Sequence, residues 1–153
     1  MNQINKKILI LLSVLLITGC GFKVVDKTNL KNIYIKKINT QGDKRLSFKI
    51  KNNLYVNANN KQGVPINLDI ITKKTKSIKE KNLKNEITKY QITINSEIKL
   101  NIKTTFSIDV AGDYAVNKNY SKTLDNRKKL EDRLINNISE KIFKEINIRL
   151  NDI

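Results

Sequence analysis

Two hydrophobic periods divide the second half of the chain. From Tyr90 onward the apolar residues hold to even numbers: Tyr90, Ile92, Ile94, Ile98, Leu100, Ile102, then Phe106, Ile108, Val110, Tyr114 and Val116. Gln91, Thr93, Asn95, Glu97, Lys99 and Asn101 separate the earlier ones. A period of two places one greasy face and one wet face on an extended strand. A single strand over this whole stretch would far exceed the usual limit of about 10 residues. A tight turn is therefore expected near Asn101 to Thr104, and Gly112-Asp113 reads as a bulge or a second bend. From Thr123 the period changes. Leu130, Leu134, Ile138, Ile142, Ile146 and Leu150 recur every four residues, broadened by Ile135 and Phe143. This predicts an amphipathic helix of roughly 27 residues, about 40 Å long. Its polar face mixes acids and bases evenly, unlike the basic face of helices that lie on membranes. Packing on the greasy side of the sheet is the expected role.

The first half repeats the alternation of signals on a smaller scale. Leu30 to Ile38 reads as a strand with Ile33 and Ile35 on one side. Gly42 interrupts it, and Asp43 is placed to cap a helix from Lys44 to about Asn57. Leu46, Ile50 and Leu54 form a four-residue stripe, while Leu46, Phe48 and Ile50 also alternate as a strand would; the stripe favours helix. Asn59 to Pro65, with Gly63 and the only proline, is a loop. Ile66, Leu68 and Ile70 begin a second strand that runs on through Lys73, Lys74, Lys76, Lys79, Lys81 and Lys84. Together these elements predict an α+β fold. The expected architecture is a two-layer sandwich of about four mostly antiparallel strands, with two helices packed on one face.

The N-terminus carries a different kind of pattern. Lys6 and Lys7 precede a nearly pure Ile/Leu run from Ile8 to Ile17, followed by Thr18, Gly19 and Cys20. About ten apolar residues are too few to cross a bilayer, which takes roughly 17 or more. They suit a signal peptide cut before a lipid-modified cysteine. Cys20 is the single cysteine in the chain and stands at the expected cut. Residues 1–19 are accordingly read as a lipoprotein signal peptide, 20–29 as a lipidated tether and 30–153 as one domain. One acyl chain anchors only marginally, so durable attachment needs diacylglycerol plus an amide-linked acyl group such as palmitate. Residue 21 is Gly, not the Asp that retains lipoproteins in the inner membrane under the usual sorting rule. The expected location is the periplasmic face of the outer membrane.

Composition then removes most enzymatic options. The chain has no histidine and no tryptophan, and no cysteine beyond Cys20. Metal sites of the His/Cys kind and Ser-His or Cys-His nucleophiles lack their ligands or bases. Asp109 and Asp113 are the nearest candidates for a paired-carboxylate hydrolase, and the basic middle offers few others. No enzyme activity, metal or cofactor is expected. Lys, Ile and Asn supply 72 of 153 residues, a bias that AT-rich codons alone would impose. The distribution of the +16 net charge is more telling than its size. Lys27 to Lys103 contains 18 basic and 5 acidic residues, whereas Thr104 to the end contains 9 and 8. Such a basic surface attracts polyanions. Behind an export signal the available polyanion is the phosphorylated head of lipopolysaccharide, and nucleic acid is not an expected partner.

The order of these parts resembles the lipopolysaccharide-assembly lipoprotein family, LptE (RlpB), over nearly the whole mature length. The resemblance is carried by Gly19-Cys20-Gly21-Phe22, by Ile33-Tyr34-Ile35 and by Leu46 to Leu54. It continues in Lys89-Tyr90-Gln91-Ile92-Thr93-Ile94, and in Asn119-Tyr120 leading into Leu124 to Leu150. The high lysine content and a short region between the central strands depart from the family. The resemblance implies a two-helix, four-strand plug inside the lumen of an LptD-type outer-membrane β-barrel. Such a plug assists barrel folding and takes part in lipopolysaccharide delivery to the outer leaflet, without covalent chemistry. Basic residues near the second hairpin are then expected to touch lipid A phosphates. Lys74, Lys76, Lys79, Lys81 and Lys84 are the candidates by position. A lipoprotein scaffold of another envelope complex is the alternative reading.

Overall fold

The computed structural model describes residues 33–58, 62–101 and 103–151. Cys20, the signal segment and the tether lie outside the described residues. The elements are β1 (Ile33–Gly42), α1 (Lys44–Asn57), β2 (Val64–Lys81), β3 (Ile87–Leu100), β4 (Thr104–Ala115) and α2 (Tyr120–Asn151). The sheet has the order β1-β2-β3-β4. β1 and β2 run parallel, while β2-β3 and β3-β4 are antiparallel. The parallel pair requires a crossover, and α1 supplies it. Both helices contribute to the single buried cluster on one face of the sheet. This is the α+β two-layer arrangement that the two periods imply.

Each element follows from local chemistry. β1 buries Ile33, Ile35 and Ile38, a spacing that breaks strict alternation. A register shift between Ile35 and Lys37 accounts for it: the extra residue returns Ile38 to the core. The β1 ladder ends at Gly42, whose φ of 93° is left-handed. From that turn the Asp43 backbone N–H donates to Thr72 O at 3.0 Å, while the Asp43 carboxylate accepts from Leu46 N at 3.0 Å and caps α1. α1 buries Leu46, Ile50 and Leu54, and leaves Phe48 63% exposed. The helical stripe therefore prevails over the competing alternation.

β3 buries its even-numbered residues from Ile92 to Leu100, and β4 buries Phe106, Val110 and Tyr114. The turn between them falls where the parity argument places it. Leu100 pairs with Thr104, Asn101 adopts a φ of 48°, and Lys103 N donates to Leu100 O at 3.1 Å. Gly112 does not bend the chain. It pairs in register with Ile92, and the β3-β4 ladder has no shift. Its missing side chain instead admits α2: an added Cβ would lie 2.6 Å from Leu130 Cδ1. α2 has 32 residues, longer than the period alone predicts. Its first turn begins at Tyr120 because the Asn119 side chain accepts from Ser121 N at 2.9 Å, a polar cap that hydrophobic spacing does not register. The whole stripe from Leu130 to Leu150 is buried. Lys49 pairs with Asp132, and Asn53 donates to Asn136 at 3.0 Å, so polar side chains bridge the two helices above the core.

Candidate functional site

The lysine tract lies on a hairpin that outruns its neighbours. β1 leaves β2 at Thr72, yet β2 continues to Lys81 paired with β3. On the other side β4 accompanies β3 only as far as Lys89. The outer end, residues 79–88, thus has neither flanking strand. Asn82 builds the turn: its side chain accepts from Lys84 N at 3.0 Å and Glu86 N at 2.9 Å. Asn85 completes it at a φ of 61°, which Asn tolerates better than most residues. Residues 73–86 are all exposed, including Ile78 and Leu83.

The five candidate lysines occupy two settings. Lys74 stands at the hairpin base, its Nζ 3.4 Å from Glu131 of α2 and 3.8 Å from Asp43. Lys76 places its Nζ 3.6 Å from the ring centroid of Tyr90, which stacks on Tyr114 at 5.7 Å. Lys74 thus ties the hairpin to the helical layer, while Lys76 packs across the hairpin onto an aromatic ring of β3. Lys79 lies at a register shift between Ile78 and Glu80, Lys81 donates to Asn85 Oδ1 at 2.8 Å, and Lys84 sits in the turn. These three cluster near the tip. One further ion pair braces it, with Lys89 Nζ 2.6 Å from Glu80 Oε2. The hydrogen bond from Lys89 and its charge hold the Glu80 carboxyl below its usual range, and Glu80 raises Lys89 in turn.

A cavity of about 290 Å³ at the hairpin base adds residues that spacing alone does not single out. Lys76, Tyr90, Tyr114, Lys118, Tyr120 and Arg127 line it. Tyr90 and Tyr114 are visible in the sequence as core positions of two strands; only their direct pairing across β3 and β4 makes them one aromatic wall. Asp109 and Asp113 do not form a catalytic pair. They lie on the same strand four residues apart, about 13 Å, too far for the roughly 5–9.5 Å of glycosidase carboxylates. Each is held by a cross-strand amide, Asn95 for Asp109 and Gln91 for Asp113. Among the described residues no group of three or more His, Cys, Asp or Glu could hold a metal. No helix among them is long and apolar enough to cross a membrane.

A two-layer α+β domain bearing a projecting basic hairpin is the class of protein these features define. Several solved structures share its architecture. Rare lipoprotein B from Shewanella oneidensis superposes with a TM-score of 0.59 at 14% identity, over 76% of this chain and 97% of that one. Lipoprotein B from Nitrosomonas europaea gives 0.61 at 8% identity, over 86% and 94%. A minor lipoprotein from Acinetobacter baumannii gives 0.52 at 14% identity, over 76% and 94%. No family model and no curated protein matches the chain, so the likeness is one of fold.

Proposed function

We propose that the chain is an outer-membrane lipoprotein of the LptE kind, anchored through lipid on Cys20 at the periplasmic face. In this reading it seats in the lumen of an LptD-type β-barrel, assists barrel assembly and takes part in delivering lipopolysaccharide to the outer leaflet. The observation that carries the proposal is the shared fold with rare lipoprotein B, which extends over 97% of the chain in that solved structure. The lipobox at Thr18-Gly19-Cys20 supports the anchor, and the basic hairpin supports a phosphorylated ligand. The reading requires positioning and charge, with no covalent step. Lys79, Lys81 and Lys84 are the phosphate contacts to test, because Lys74 and Lys76 also brace the fold.

Two measurements test it. A mild-detergent pull-down through the C-terminus should recover a large β-barrel; recovery of a different envelope complex would favour the scaffold alternative. A lipid A analogue should bind the wild type less tightly as salt rises, since the Debye length is about 8 Å at physiological strength. Replacing Lys79, Lys81 and Lys84 by Gln should weaken binding several-fold at low salt. Unchanged affinity would move the site off the hairpin tip. Absence of any binding by the wild type would remove lipopolysaccharide from the proposal.

A further inference from the structure

The departure of β1 leaves an open edge in the middle of the sheet. Gly42 turns β1 away from β2, and an added Cβ there would lie 2.0 Å from Thr72 O, so the chain passes as close to β2 as it can before leaving. Beyond Thr72, β2 has no paired strand on that side among the described residues. Peptide groups along a strand point alternately to its two sides. Thr72 O faces the β1 side, since it accepts from Asp43 N, while Asn67 O faces β3, since it accepts from Asn101 N. The β2-β3 register is continuous from Leu68 to Ile78. Hence Lys74, Lys76 and Ile78 each aim an N–H and a C=O outward, along about 20 Å of strand from Lys73 to Ile78.

We propose that this edge receives an extended acidic segment of a partner protein as an added strand. Main-chain pairing would supply the attachment, and side-chain charge the choice of partner. Lys73 and Lys79 flank the edge without an ion pair among the described residues, and Ile71 and Ile78 are exposed beside them. Lysines on an edge deter pairing with a like strand. A second copy of this chain would set the same lysines against each other. A strand with alternating carboxylates meets the opposite situation.

The probe is a short blocked peptide alternating Glu and Val, with an alternating Lys and Val peptide as control, added to the full chain. Hydrogen exchange read by NMR should show the amides of Lys74, Lys76 and Ile78 slowed at least ten-fold by the acidic peptide and unaffected by the basic one. N-methylation of the acidic peptide at alternate residues, which removes its pairing donors and keeps its charge, should weaken binding at least ten-fold. Lys76→Pro, which deletes an outward N–H and no β3 ladder bond, should abolish the protection while the melting transition persists. Equal affinity for the methylated peptide would reduce the interaction to diffuse charge attraction and overturn the proposal, with or without a folded Lys76→Pro variant. So would protection that appears without peptide as protein concentration rises, because the occupant would then be a second copy. Binding without protection of these amides would also overturn it.

Discussion

Gly42→Ala puts the join between the two layers to the test. At φ 93° an alanine is strained, and its Cβ would fall 2.0 Å from Thr72 O and 3.0 Å from Thr72 C. Both are backbone atoms of a strand paired on its far side with β3, so they cannot swing aside as a side-chain tip can. The left-handed conformation costs a non-glycine residue about 1–3 kcal/mol. Relieving the overlap separates Gly42 from Thr72 and breaks the 3.0 Å bond from Asp43 N to Thr72 O, a loss of roughly 0.5–1.5 kcal/mol. The expected destabilisation is about 2–4 kcal/mol, a large share of the roughly 5–15 kcal/mol of a typical domain. Urea unfolding followed by circular dichroism should show the midpoint falling by about 1–2 M, with the slope unchanged at about 1–3 kcal/mol per M. Gly112→Ala is the matched control. Its Cβ would meet Leu130 Cδ1 at 2.6 Å, the end of a flexible side chain, so overpacking should cost about 1 kcal/mol. A Gly42→Ala unfolding free energy within about 0.5 kcal/mol of wild type would refute the close approach.

Ile138→Ala and Ile142→Ala, at two fully buried positions of α2, should each cost about 2–5 kcal/mol. The double variant should lose its cooperative thermal transition, and a wild-type melt would show that α2 is not core. Glu80 should titrate below its ordinary 4.5 by carbon NMR, because Lys89 stabilises its charged form. Its folded value is depressed, so any support it gives the hairpin is present above the ordinary value and lost as pH falls through the folded one. Lys89→Met should raise the Glu80 titration toward its ordinary value, and an unshifted wild-type Glu80 would refute the pairing in solution. Cys20→Ser should leave an uncut precursor or release the protein from membranes on fractionation. A processed, lipid-bearing mutant in the outer-membrane fraction would defeat the lipobox reading.

Local periodicity determined much of this protein. The stripe from Leu130 to Leu150 and the even-numbered strands had one compatible arrangement each, since burying either face requires the other layer. Asp43 could be read as a cap from its place after Gly42, because capping depends only on residues within one turn. Three features needed the tertiary structure. The parallel pairing of β1 with β2 depends on which edge the crossover reaches, and nothing local to either strand encodes that. The shift at Lys36, which restores Ile38 to the core, exists only relative to β2. Gly112 looks like a bend in the sequence and proves to be a gap for Leu130, because the need for a small residue there comes from a helix side chain eighteen positions downstream. The lysine tract shows the same division. Its charge was evident along the chain, but its separation into bracing and tip residues follows from where Glu131, Tyr90 and the end of β1 lie in space. Charge density is a local property; the partners that neutralise it are brought by the fold.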